Sequence, residues 1–131
     1  MDKHFTLEIV TPVKTLDFEE VKYLRAPSLD GLFGVMPGHV LSIINLDIGE
    51  VKVLSNNIEN YFAISGGFAE ISKDKVSLLV ESIEPKDEID KNRSNEAFDR
   101  AKSRLKDKSM DQIRANLALE RAKNRLKVFN R

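Results

Sequence analysis

Cysteine and tryptophan are absent from this chain of 131 residues, and histidine occurs only twice. Without cysteine there is no disulfide framework, no thiol nucleophile and no zinc–thiolate site. His4 and His39 share no evident ligand set, which argues against a metal centre. His39 reads instead as a turn histidine bonded to backbone. Ser28, Asp30 and His39 lack the nucleophile elbow that a hydrolase triad needs. Ser65-Gly66-Gly67-Phe68 lacks the lysine of a phosphate loop and leads into a strand pattern, so its glycines read as a tight hairpin or a close backbone approach. No apolar run has the length of a secretory signal or a membrane span, which points to a soluble protein on the cytoplasmic side. The expected set of catalytic residues and metal ligands is therefore empty.

Net charge is also missing, but only in the sum. Residues 1–88 carry 15 Asp/Glu against 8 Lys/Arg, whereas residues 89–131 carry 6 against 13. Seven of the nine aromatics lie in the acidic front, with only Phe98 and Phe129 behind, so a packed core belongs to the front. An acidic front and a basic back can attract each other, or the back can seek an acidic partner. Zero net charge and the lack of an aromatic stacking platform beside the basic residues speak against nucleic acid.

From Phe5 to Glu81 the apolar period is two. Phe5, Leu7 and Ile9 alternate with Thr6 and Glu8; Val51 and Val53 flank Lys52; Val76, Leu78 and Val80 follow the same rule. Turn signals recur at Thr11-Pro12, Ser28–Gly31, Pro37-Gly38, Asp47–Gly49, Ser55–Asn57, Gly66-Gly67 and Ser72–Asp74. This spacing predicts eight to ten short strands in an antiparallel sandwich or flattened barrel. Within Gly31–His39, Leu32, Phe33, Val35 and Met36 are too apolar for an ordinary solvated loop. They either turn into the core from a bulged hairpin or form an exposed tip that docks on a partner.

Pro85 and the charged run after it end the strand pattern, giving domains of 1–84 and 85–131. The second domain states one pattern twice. Asp90–Leu105, DKNRSNEAFDRAKSRL, recurs 21 residues later as DQIRANLALERAKNRL over Asp111–Leu126. Each copy predicts a helix with a small apolar seam and three arginines on a neighbouring stripe: Arg93, Arg100 and Arg104, then Arg114, Arg121 and Arg125. Asp87 or Asp90 can cap the first helix, and Ser109 or Asp111 the second. A charged helical stripe commonly just faces water, but arginine at all six equivalent positions favours planar recognition of phosphate or carboxylate. Arg131 lies beyond the repeat, and its replacement is expected to barely affect binding of an anion such as a nucleotide at the arginine rim.

LEIVTP at 7–12, VKYLRAPSLDGLFGVMPGH at 21–39, DIGEV at 47–51 and YFAISGGFAEIS at 61–72 together resemble the epsilon subunit of F-type ATP synthases, and the likeness extends through the helical tail. The resemblance implies a mainly β protein with an α appendage: an N-terminal ten-stranded β-sandwich, then a C-terminal antiparallel two-helix hairpin. It implies a non-catalytic central-stalk role, coupling proton-driven c-ring rotation to ATP synthesis through the gamma subunit. It places the chain peripherally on the cytoplasmic face of the bacterial plasma membrane, with gamma, the c-ring and the catalytic beta and alpha subunits as partners and no nucleic acid. Asp30, Gly31, Leu32, Pro37, Gly38 and His39 match the ring-facing tip. The hairpin of bacterial members inhibits ATP hydrolysis when it extends, and some bacilli-type members hold ATP on the folded hairpin. Here Glu84, Ile89, Asp90, Arg93, Arg100, Arg121 and Arg125 match that site, with Ser94 in place of the motif's alanine. ATP would then be a regulatory ligand, and no cofactor is required. The alternative function is a free-standing ATP-sensing binding protein.

Overall fold

A computed structural model describes residues 4–131. Seven strands run β1 Phe5–Val10, β2 Thr15–Ser28, β3 Gly31–Val35, β4 Ser42–Ser55, β5 Ile58–Ile71, β6 Lys75–Val80 and β7 Ile83–Pro85. A 3₁₀ turn at Lys86–Glu88 leads into helices α1, Lys91–Lys106, and α2, Gln112–Phe129.

The strands form one sheet in the order β1-β6-β5-β4-β2-β3, and a further β1–β2 pairing closes it into a flattened barrel. All pairings are antiparallel except β1–β6. Phe5, Leu7, Ile9, Val21, Leu24, Val51, Val53, Phe62, Ile64, Val76 and Leu78 fill its interior, so the period-two residues are the core.

Among the described residues there are seven strands where eight to ten, or ten, were expected. The difference lies in β2, β4 and β5, each 14 residues long. Each crosses from one layer to the other without stopping, so dividing these three would restore ten. Asp47–Gly49 and Gly66-Gly67, read from sequence as turns, lie opposite each other inside the β4–β5 ladder. They are bends, because Gly67 has a φ of +143° and a Cβ there would lie 2.0 Å from the Leu79 carbonyl oxygen. Of the two readings of these glycines, the close backbone approach is the one realised. In β2 the corresponding irregularity is Glu20, at φ +52°, beside a register shift between Val21 and Tyr23.

Asp90 caps α1, accepting from the Arg93 backbone N–H at 3.1 Å. Asp111 caps α2, accepting from those of Ile113 and Arg114 at 3.0 and 3.2 Å. The buried residues of the seam are Ser94 and Ala101 on α1 and their repeat equivalents Ala115 and Ala122 on α2. Ser94 substitutes for alanine in this tight seam without an orphaned hydroxyl, because its Oγ donates to the Asp90 carbonyl at 2.9 Å.

Candidate functional site: the docked hairpin and its arginine groove

The hairpin lies against the outer face of β4 and β5, and α2 carries the docking. The landing is Ala63 on β5, paired to Glu50 of β4 across the ladder, with the neighbouring Gly49 offering its backbone carbonyl. Alternation explains their position. Val51, Phe62 and Ile64 face the barrel interior, which turns Glu50 and Ala63 outward, yet both are buried because α2 covers them. Val128 and Ile89 close over Ala63 in a small apolar cluster flanked by Tyr61 and Phe129. Asn124 Nδ2 donates to the Gly49 carbonyl at 2.6 Å.

Two ion pairs flank these contacts. Arg125 Nε bonds to Glu84 Oε1. Arg131 donates from Nε to both carboxylate oxygens of Glu50, at 3.1 and 2.9 Å, and from Nη2 to Oε1 at 2.7 Å. Arg25 Nη2 donates to the same Oε1 at 2.9 Å. The Arg131 guanidinium also lies 5.1 Å from the centroid of the Tyr61 ring. The bonds to Glu50, and then its charge, raise the Arg131 pKa further above its ordinary value, so the residue is cationic at any accessible pH. Sequence reasoning did not foresee this docking role of Arg131. Sequence reasoning also missed Glu50, whose only signal was an acid next to the apolar alternation of Val51 and Val53.

The six arginines of the repeat line one groove between the helices. A cleft of about 540 Å³ holds Glu84, Asp90, Arg93, Arg100 and Arg125, together with Glu88 and Glu96. Arg100 and Arg125 continue into a cleft of about 230 Å³, joined by Arg104 and Arg121. Arg104 and Arg121 pass into a third, of about 730 Å³, where Arg114 stands beside Ser109 and Asp111. The residues matched to a nucleotide site thus come together, apart from Ile89, which is buried in the docking cluster. Among the described residues, Arg125 alone of the six is in an ion pair. Five unpaired guanidinium groups along one groove set up a field for an anion.

The loop between Gly31 and His39 divides between its two readings. Val35 is buried and Phe33 packs on the core, whereas Leu32 and Met36, each 64% exposed, point to solvent with Leu29, Val40, Leu41 and Ile43. His39 is the turn histidine expected: its Nδ1 lies 2.7 Å from the Met36 carbonyl, and its ring meets Phe5 edge-on at 5.4 Å. Asp30 ends the turn before β3, Gly31 opens that strand, and Pro37 and Gly38 lie in the loop after it. No group of metal-ligating side chains occurs among the described residues, and no helix there is long and apolar enough to cross a membrane.

The fold is thus a closed β-sandwich carrying a docked, basic two-helix hairpin. The family of the delta/epsilon chain β-sandwich domain matches residues 4–86, and that of its long α-helix domain matches residues 87–130. The chain belongs to the ATP synthase delta/epsilon family. Among its relatives, the ATP synthase epsilon chain of Nitratidesulfovibrio vulgaris is 44% identical over 105 residues, 80% of this chain and 78% of that one. The ATP synthase epsilon chain of Bacillus cytotoxicus is 42% identical over 106 residues, 81% and 80% of the two chains. In the solved Euglena gracilis mitochondrial ATP synthase (OSCP/F1/c-ring), one chain superposes with a TM-score of 0.84 at 22% identity, over 95% of this chain and 80% of that one. At that identity the likeness speaks for the fold.

Proposed function

We propose that this chain is a non-catalytic, regulatory central-stalk subunit whose hairpin is held on the sandwich by ATP. The exposed apolar residues from Leu29 to Ile43 supply a surface for partners, the c-ring and gamma, on the cytoplasmic face of the membrane. The hairpin supplies the regulation: released from β4 and β5, it presents its basic groove to the acidic surfaces of the catalytic beta and alpha subunits and restrains ATP hydrolysis.

The observation that carries the regulatory part is the groove itself. It exists only while α1 and α2 lie side by side, so a polyanion bridging them binds the folded form selectively. Its lining changes along its length. The Glu84–Asp90 end offers carboxylate acceptors suited to the hydroxyl and amino groups of a nucleoside. The Arg100–Arg104–Arg121 stretch has no acid in its lining and suits phosphates. A ligand with one end of each kind, as ATP has, fits in one orientation. Binding at a hundredfold excess over Kd stabilises the folded form by about 2.7 kcal/mol.

Calorimetric titration of the isolated protein with ATP tests this. Arg100→Ala and Arg121→Ala should weaken binding about tenfold or more each. Arg125→Ala is a poorer probe, because it also removes the docking pair with Glu84. If millimolar ATP produces neither heat nor compaction in the wild-type protein, the groove serves acidic protein surfaces and the ATP reading is wrong. A sensor that works alone would bind ATP equally well but fail to join an ATP synthase depleted of its epsilon chain.

A further inference from the structure

We infer that Arg131 and Glu50 form a ligand-independent latch that holds α2 on the sandwich and sets how often the hairpin leaves it. The inference rests on the reading above in one respect, that departure of the hairpin has a use.

Glu50 is a carboxylate buried to 3% exposure on the outer face of β4. A buried carboxylate with no cation would oppose folding strongly, and its two cations are of different kinds. Arg25 is on β2, the strand paired beside β4, and is fixed by the barrel. Arg131 follows α2 and arrives only with the hairpin. When the hairpin lifts, Glu50 therefore loses its bidentate partner but keeps Arg25, at 2.9 Å from Oε1. Release is thus favoured neither by a new unpaired charge in the docked state nor prevented by an orphaned one in the lifted state. That is the arrangement a reversible contact requires.

Position adds to chemistry. Asn124, Val128 and Arg131 place their contacts at successive turns of α2 and its end, and Arg131 is the outermost. Its fork grips both oxygens of Glu50 while its flat face lies on Tyr61, so rotation and sliding of the helix end are both opposed. Undocking that begins at this end must break the latch first. The nucleotide groove lies between the helices and shares neither Arg131 nor Glu50 with the latch.

Amide hydrogen exchange on the full chain, without ATP, tests the latch because it measures rare openings directly. Arg131→Ala should speed exchange of the α2 amides from Asn124 to Val128 by about tenfold, with β5 and β6 amides unchanged. Arg131→Lys keeps the charge but loses the fork, and should fall between. Lys123→Ala, on the exposed side of the same helix, should leave every rate unaltered. The Tyr61 ring resonances should move in Arg131→Ala and stay in Lys123→Ala, a local signature that a general loosening of the fold would not give. Equal α2 exchange in Arg131→Ala and the wild type would overturn the latch. An absence of ATP protection in the wild type would instead count against the nucleotide reading alone.

Discussion

Gly67 shows how far one missing atom shapes this molecule. The bend of β5 brings its backbone against the Leu79 carbonyl at a φ that L side chains rarely adopt. Gly67→Ala should cost about 2 kcal/mol or more and lower the melting temperature clearly, read by circular dichroism. Leu32 gives the opposite case. It is 64% exposed, so Leu32→Asp should change stability by about 0.5 kcal/mol or less while weakening attachment to the rest of the synthase in a co-purification assay. A large loss of melting temperature would mark Leu32 as core. The sequence distinguished neither residue from its neighbours by composition. The sequence left Leu32, Phe33, Val35 and Met36 together between core and exposed tip, and only the fold separates the inward Phe33 and Val35 from the outward Leu32 and Met36. Glu50 was illegible for a related reason: its burial depends on a helix 75 residues further along the chain lying over it, the separation spanned by the Asn124–Gly49 bond beside it.

Between elements, the hairpin is the removable part. Among the described residues, its bonds with the barrel are made by side chains, whereas the sheet pairings are all made upstream of it. Deleting residues 89–131 should therefore leave a folded barrel that still joins the complex, with ATP hydrolysis raised if the hairpin restrains it. Unchanged hydrolysis would exclude that restraint. The connection between the helices has its own pH dependence. Asp107 accepts from both the backbone N–H and the hydroxyl of Ser109, at 3.0 and 2.6 Å, and these bonds hold its pKa below the ordinary carboxylate value. The folded form thus binds the proton less readily than the unfolded form. Its stabilising effect is present above the ordinary value near 4 and is lost as pH falls through the lowered one. Protection of the Ser109 and Met110 amides, measured against their intrinsic exchange rates, should fall below about pH 4 in the wild type, and Asp107→Asn should remove most of that pH dependence. The helices and both caps were legible because the 21-residue repeat fixes them locally. The strand count was not, since Asp47–Gly49 and Gly66-Gly67 carry turn chemistry at positions where two paired strands bend together.

Across the whole molecule, the division of charge becomes a division of roles. The acidic barrel receives the basic hairpin at Glu84 and Glu50, and the remaining arginines stay free in the groove. Attraction that is partly exposed is screened by salt, so raising ionic strength from 0.1 to about 1 M should accelerate α2 exchange while the barrel holds. If α2 proves indifferent to salt, apolar packing around Val128 and Ala63 holds it instead. The sequence showed the two charged halves, but it could not say whether they meet within one chain, because that depends on Ala63 leaving room for α2 and on the Gly49 carbonyl being free to accept from Asn124.

The closed circuit of strands has a mechanical meaning. Two separate sheets held only by interdigitated side chains can slide over one another under load, since no bond runs between the layers. Here β2, β4 and β5 pass through both layers, and the β1–β2 pairing returns the ladder to its start. Shear between the layers must then break backbone hydrogen bonds in rows. A twisting force applied at the exposed apolar end would cross the barrel with little lost to internal slip, which makes this small body a stiff washer in any assembly that turns it.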